Sequence, residues 1–442
     1  MTQEEAFDIL KLGYNVYLTG AAGSGKTYLL NEYIGYLQKN GVEVGVTAST
    51  GIAATHLDGL TIHSWSGIGI KDKLEDDDIS NILLKPYLQE RFANTKVLVI
   101  DEISMLQASR LDMVNKICKV FKNSDAPFGG LQVILCGDFF QLPPVSKNSD
   151  DNSFVDKSQS WQEMDVKICY LEEQYRQEDS RFLQILNEIR QNDVSVESLR
   201  LLMSRLNKKL EAKITPTKLY THNVDVDGLN YFELDKIKEE SRAYEMTSWG
   251  EQTLVDNLKK GCLAPEKLIL KKGALVMFVK NNFNQGYVNG TLGKIIGFDE
   301  EGFPVVKTTS GLKAVAKPAS WKIEEKDVLK AEISQVPLRL AWAITIHKSQ
   351  GMSLDLAEID LSKSFAHGMG YVALSRVRSL SSMKLMGVNK IALQVDETVL
   401  ESDQTLRNLS TQALIELRNL KPQDRLDKQK EFIENLRQVM YN

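Results

Sequence analysis

The chain has 442 residues, 43% hydrophobic and 26% charged, the composition of an ordinary globular protein of roughly two to four domains. Its net charge of −5 and pI near 5.8 exclude a protein that coats nucleic acid by bulk charge, but leave room for a narrow basic channel on an acidic body. No stretch reaches the roughly 18 apolar residues that span a bilayer, so no membrane partner is expected. The acidic start Met1-Thr2-Gln3-Glu4-Glu5 lacks the basic and apolar regions of a signal peptide. A cytoplasmic location is expected, or a nuclear one in a eukaryote. Cys118, Cys136, Cys169 and Cys262 form no C-x-x-C pair, which leaves zinc and redox motifs without support. Cys136 and Cys169 sit in apolar runs and read as small buried hydrophobes.

Residues 3–13 read as a short helix. Gln3 offers a donor and an acceptor that suit an adenine edge, and it reads equally as an exposed polar residue. Val16-Tyr17-Leu18 reads as a buried strand leading into Gly20-Ala21-Ala22-Gly23-Ser24-Gly25-Lys26-Thr27. That octapeptide fits the phosphate-loop template G-x-x-x-x-G-K-[ST], and a helix with Leu29, Leu30, Tyr33, Ile34 and Leu37 on one face follows it. Gly23, Ser24 and Gly25 present backbone N–H groups to phosphate oxygens, Lys26 reaches the β- and γ-phosphates, and the Thr27 hydroxyl suits Mg²⁺. ATP and Mg²⁺ are therefore the expected substrate and ion.

A second strand over residues 42–46 precedes Thr47-Ala48-Ser49-Thr50-Gly51. Its hydroxyls suit phosphates or sugars, and they suit helix capping equally well. His63 and Trp65 read as base-stacking groups or as core. Residues 66–90 lose the strand–helix rhythm and read as a small insertion, with Glu75 to Asp78 a solvated acidic face. Val97 to Ile100 is a buried parallel strand ending in Asp101-Glu102, where Asp101 suits Mg²⁺ and Glu102 suits a base toward water. A helix over 105–121 and a strand over 131–136 lead to Gly137-Asp138-Phe139-Phe140-Gln141-Leu142-Pro143-Pro144-Val145, where Gln141 suits the γ-phosphate or the attacking water. Arg176, after a strand over 166–171, is an arginine-finger candidate or a surface ion pair.

A boundary is expected near Asn192-Asp193. A strand over 218–221 and a helix over 225–237 open a second α/β set, and residues 240–262 read as irregular with some helix. Between 266 and 332, five short strands (267–270, 274–280, 293–298, 305–308, 313–316) alternate with turn signals and read as a small barrel. The doubly wound pattern resumes at Val336 to Leu340, followed by strands over 357–361 and 384–388 and a helix over 370–377. Residues 397–442 read as charged helix.

In this order the motifs resemble the Pif-type (petite integration frequency) family in the B branch of superfamily-one helicases, with RecD-type helicases as kin. The resemblance spans roughly residues 1–390. It rests on residues 20–27, 47–54, Asp101-Glu102-Ile103-Ser104-Met105, residues 137–145, Thr345-Ile346-His347-Lys348-Ser349-Gln350-Gly351 and Tyr371-Val372-Ala373-Leu374-Ser375-Arg376. The helix from Arg110 to Phe121 is also similar to the family's signature region.

The resemblance implies an α/β protein with two RecA-like parallel-sheet P-loop domains, a wedge insertion and an SH3-like barrel. The corresponding ranges are 1–192 (wedge 66–90), 193–265 with 333–395, 266–332 for the barrel, and 396–442 for a helical extension. It implies an ATP-driven motor moving 5′ to 3′ on single-stranded DNA and unwinding forked or structured DNA. Quadruplex unwinding is a family expectation that no residue here carries. It further implies Gln3 on adenine, Gln350 and Gly351 at the nucleotide, and Arg176 with Arg376 completing the cleft. Ser49, Thr50, Gly51, Thr61, His63, Asn223, Thr345, His347 and Lys348 would lie along DNA. The chain carries no long N-terminal extension and reads as close to a bare motor core, expected to be a monomer. A non-motor nucleotide switch and an RNA-directed motor are the alternatives. The second α/β half argues against the switch, and no residue pattern here separates DNA from RNA.

Overall fold

The structure, a computed structural model, describes all residues except 70, 72, 145–153, 178, 211–215, 222–225, 326–327 and 439–442. Its first half is a parallel sheet of β1 (Val16–Gly20), β2 (Val44–Ala48), β3 (Leu60–Thr61), β4 (Val97–Asp101), β5 (Gln132–Cys136) and β6 (Lys167–Leu171), in the order β3-β2-β4-β5-β1-β6. Strands β1, β4 and β5 are buried along their whole length because helices cover both faces. Alternate residues serve alternate faces. Val16, Leu18, Val97 and Val99 pack with Leu29, Leu30 and Tyr33 of the loop helix, while Tyr17, Leu98 and Ile100 pack with Leu111, Val114 and Ile117 of the helix Ala108–Lys122.

The second parallel sheet takes Ala343–Thr345, Thr217–Tyr220, Ala357–Leu361 and Met383–Val388 in that order. The α/β class and the paired parallel sheets thus agree with expectation. The β-rich segment groups differently. Lys267–Lys271 does not join the barrel strands but pairs with Ser241–Glu245. Leu338–Leu340, expected to resume the parallel sheet, is the antiparallel partner of Leu275–Phe278 in a five-stranded sheet with Leu292–Phe298, Pro304–Thr308 and Lys313–Val315. Residues 240–262 are regular: two strands and the helix Gln252–Gly261. Thr247–Gly250 joins Ala319–Glu325 and Val328–Gln335 in a third antiparallel sheet. The cause of these differences is non-local pairing, in which a short strand takes whichever edge the chain brings to it.

The expected insertion at 66–90 contains the helix Asp76–Leu83 and the start of Pro86–Asn94. Its acidic run is solvent-facing and also caps the first of these helices, with Asp78 accepting the Glu75 N–H at 3.2 Å. The chain passes between the two halves near Asn192 and again near Val395. Both crossings are stitched together: Asn192 Nδ2 donates to the Val395 carbonyl at 3.0 Å and the Val395 N–H donates to Asn192 Oδ1 at 2.7 Å. The helix Glu397–Asn419 then returns to the first half and covers its edge strand β6, where Ser410 Oγ accepts the Tyr170 N–H at 3.0 Å. No helix among the described residues is long and apolar enough to cross a membrane.

Trp65 is 3% exposed and lies 4.7 Å from the Phe92 ring, which makes it core and not a base-stacking group. Trp65→Ala is expected to cost about 3–5 kcal/mol in urea unfolding. The affinity of the folded variant for a fluorescent oligothymidine is expected to be unchanged. A selective loss of that affinity would return Trp65 to the DNA path.

Candidate active site between the two parallel sheets

The carboxyl ends of both parallel sheets face one cleft of about 680 Å³. On the first side, β1 runs into the glycine loop and the helix Lys26–Lys39. Gly23 and Gly25 have φ of +87° and +82°, and a Cβ at these positions would stand 2.6 Å from Arg176 Cβ and 2.0 Å from Gln3 Nε2. Only glycine fits. Gln3 Nε2 donates to the Ser24 and Gly25 carbonyls at 3.3 and 3.4 Å, which places Gln3 on the loop. Lys26 Nζ folds back onto the Gly20 and Ala21 carbonyls at 2.8 and 3.1 Å, while Ser24 Oγ is buried without a hydrogen-bond partner. Thr27 is exposed and lines the cleft.

Strand β4 delivers the carboxylates. Asp101 Oδ1 accepts the Glu102 N–H at 2.8 Å. Glu102 has φ +51° and ψ +45°, a conformation rare outside glycine, and its side chain lines the cleft. Burial raises the pKa of both acids. For Glu102, burial and then the Asp101 charge push it to about 7.

The second side supplies Gln350 and Arg376. Gln350 Nε2 donates to Glu102 Oε2 at 3.0 Å and to Gln141 Oε1 at 3.3 Å, joining the ends of β4 and β5 to the second sheet. Arg376 is 1% exposed and donates to the Val372 carbonyl at 2.8 Å and to Ser375 Oγ at 2.8 Å. Burial, then neighbouring Arg176, lowers its pKa to about 9. Arg176 Nη1 donates to the Ser375 carbonyl at 3.2 Å. Lys26, Arg176, Lys348, Arg376 and Arg378 therefore line a cleft that holds two acids, Asp101 and Glu102, and the amides of Gln141 and Gln350. Such an excess of cations, with Arg376 among them buried, fits a polyphosphate. Among the described residues no group of three or more His, Cys, Asp or Glu could hold a metal. A divalent ion here would thus rest on Thr27 and Asp101 together with phosphate oxygens, the coordination Mg²⁺ favours.

Of the residues expected along DNA, Thr50, His347 and Lys348 line this cleft, and several of the set have local partners. Thr50, Thr61 and Thr345 accept the N–H groups of Ala53, Ser64 and Lys348 at 3.2, 3.2 and 3.3 Å. Each hydroxyl keeps its own proton to donate. Ser49 Oγ donates to the Glu102 carbonyl at 2.6 Å, and Gly51 packs on the backbone of Gly261. His347 and Lys348 line the cleft, as does Gly351. His63 is half-buried, and Asn223 lies outside the described residues.

Sequence reasoning missed several groups. Beyond Lys348 lies a second cavity of about 340 Å³, lined by Lys259, Lys260, Arg339 and Tyr231, with Arg339 Nε buried and unpartnered. No local pattern marks this patch, because its residues come from separate elements. Tyr28 and Tyr175, 66% and 60% exposed, flank the phosphate loop. Asn289 Nδ2 reaches His56 Nε2 at 2.6 Å across the cleft. Burial lowers the pKa of His56 and of His63 to about 4, the latter aided by Arg110.

The unfolded chain thus binds protons at these histidines below about 6.5, where the folded protein does not. Stability should fall as pH drops from about 6.5 toward 4, and His56→Gln should flatten the decline in urea midpoint over that window. An unchanged slope would place the His56 titration elsewhere.

The family model described as PIF1-like helicase matches residues 2–199, and that described as DNA helicase Pif1, 2B domain, matches residues 253–298. The chain is 44% identical, over 93% of its length and 72% of the relative's, to the ATP-dependent DNA helicase Pif1 of Psychrobacter sp. (strain PRwf-1). It spans 61% of the length of the Xenopus laevis relative. Among solved structures, Bacteroides sp Pif1 in complex with ADP-AlF4 superposes with a TM-score of 0.80 at 30% identity, covering 92% of this chain and 96% of that one. Bacteroides Pif1 bound to ssDNA superposes with a TM-score of 0.64 at 30% identity, with the same coverage of both chains.

Proposed function

The chain belongs to the PIF1-like helicase family, and on that premise we propose that it is an ATP-dependent DNA helicase that tracks single-stranded DNA 5′ to 3′ and unwinds forked or structured duplexes. The observation that carries this reading is the Gln350 amide, which joins Glu102 and Gln141 of the first sheet to the second at 3.0 and 3.3 Å. A cleft completed by two separate sheets converts hydrolysis into movement of one against the other. Residues 1–192 form one motor domain in this reading, 193–265 with 333–395 the second, and 396–442 an extension. The 266–332 range is a barrel, extended by Leu338–Leu340.

The roles follow from position. Gln3 and the exposed Tyr28 and Tyr175 suit the base of ATP. Amides at Gly23, Ser24 and Gly25 hold phosphates, and Lys26 leaves its loop carbonyls for the more negative phosphate oxygens. Mg²⁺ held by Thr27 and Asp101 supplies charge neutralisation to those phosphates when bound. Glu102 takes a proton from water, Gln141 orients that water, and Arg176 and Arg376 neutralise charge as the terminal phosphate parts from ADP. Gln350 and Gly351 close the second side.

Ser49, Thr50, Gly51, Thr61, His63, Asn223, Thr345, His347 and Lys348 form the DNA path, continued by Lys259, Lys260 and Arg339 past Tyr231. Contacts of this kind bind backbone and tolerate any sequence, and affinity should fall with salt despite the acidic pI.

Three measurements test the reading. Single-stranded DNA should stimulate ATP turnover, and a fork with a 5′ tail should be unwound where one with a 3′ tail is not; an RNA-tailed control reads strand chemistry. No stimulation would leave a nucleotide switch. Lys26→Ala and Glu102→Gln should both abolish unwinding, the latter with ATP still bound. Strand separation by Glu102→Gln at the unaltered rate would remove its assignment as base. Arg376→Ala should lower turnover by roughly three orders of magnitude with a smaller loss of ATP binding.

A further inference from the structure

The helix Met369–Leu374 carries a second group into the cleft region, Tyr371, which is 1% exposed. Its hydroxyl oxygen accepts the Ala22 N–H of the phosphate loop at 2.8 Å, a contact between residues 349 positions apart. The same oxygen accepts Arg190 Nη1 at 3.1 Å, and its proton is directed to Asp138 Oδ2 at 3.4 Å. The one proton and both lone pairs of the hydroxyl are thus in use.

The partners are themselves fixed. Asp138 and Arg190 are 1% and 5% exposed and form an ion pair at 2.6 Å. The Arg190 guanidinium stacks 4.1 Å from the Phe140 ring, and Nη2 donates to the Tyr170 hydroxyl at 2.8 Å. Tyr170 in turn donates to Asp403 at 2.9 Å and accepts Arg407 Nη2 at 2.7 Å, both on the helix Glu397–Asn419. Every member of this chain of bonds except Tyr371 belongs to the first-sheet half or to the helix that covers it. Within this chain of bonds, only those of Tyr371 cross from one parallel-sheet half to the other.

We propose that Tyr371 is a positioning residue for ATP hydrolysis: its hydroxyl seats in a socket of Ala22 N–H, Arg190 and Asp138 when the cleft closes, and fixes the phosphate loop against the helix that leads to Arg376. Tyr371 touches no reacting atom. It holds the loop in register with the arginine, and the closed state loses a buried hydrogen bond without it. This inference rests on the ATP-hydrolysing reading of the cleft.

The test is Tyr371→Phe, which keeps the ring and removes the oxygen, with Tyr170→Phe beside it. A buried N–H left unpaired in the closed state should lower kcat at saturating single-stranded DNA by about tenfold. ADP affinity without DNA should fall less than kcat, and the urea midpoint should fall with the buried hydrogen bonds that the oxygen makes. Tyr170→Phe should lower kcat less, because Arg190 keeps Asp138. An unaltered kcat in Tyr371→Phe, or a loss of ADP affinity as large as the loss in kcat, overturns the proposal. The unaltered protein is assayed in the same series. If DNA fails to stimulate it, the motor reading fails, and the socket is judged on the change in basal kcat.

Discussion

Five cations (Lys26, Arg176, Lys348, Arg376 and Arg378) and two carboxylates line the cleft between the sheets, and this imbalance is its dominant electrostatic feature. Burial raises the pKa of Asp101 and Glu102 and lowers those of Arg176 and Arg376, as expected where water is scarce and like charges crowd. Arg376, with a pKa of about 9, still carries its charge at neutral pH. A closed cleft is therefore electrostatically costly until a polyanion enters it, and a polyphosphate is the anion whose charge and size match. The charge that would stabilise such an anion is assembled from both halves.

The scaffold ties the two halves together away from the cleft. Asn192 and Val395 are joined by two hydrogen bonds, which tie together the two places where the chain passes from one sheet to the other. The first half is braced by the returning helix Glu397–Asn419, which covers the edge of β6 and forms the outer end of the bonds running through Tyr170, Arg190 and Asp138. A buried ion pair is a poor source of stability but a good source of fixed geometry. Here it fixes the position into which Tyr371 fits.

Much of the site could be read from the chain because phosphate chemistry is local. Gly20 to Thr27 must be a strand–loop–helix for its amides to converge, and Asp101-Glu102 must end a buried strand to reach the same ions. The β-rich segment was less legible. Lys267–Lys271 and Leu338–Leu340 have the composition of strands, yet their partners were set by which edges lay nearby. Thr50 could be read as a cap or as a phosphate ligand, and it caps; Thr61, expected along DNA, is also a cap. Trp65 could be read as stacking or core, and burial against Phe92 made it core.

What the sequence determined by itself was the class of fold, the phosphate loop, the acid pair and the family, all carried by contiguous residues whose spacing encodes their geometry. Only the tertiary structure decided that Gln350 bonds to Glu102 and Gln141, that Arg376 lies beside Arg176, and that Tyr371 holds Ala22 against the Asp138–Arg190 pair. These groups stand up to 349 positions apart, and no local rule relates them. Their meeting depends on two sheets presenting carboxyl ends to one cleft. The phosphate loop is therefore legible from its own eight residues as a cradle, but it becomes half of an active site only through packing.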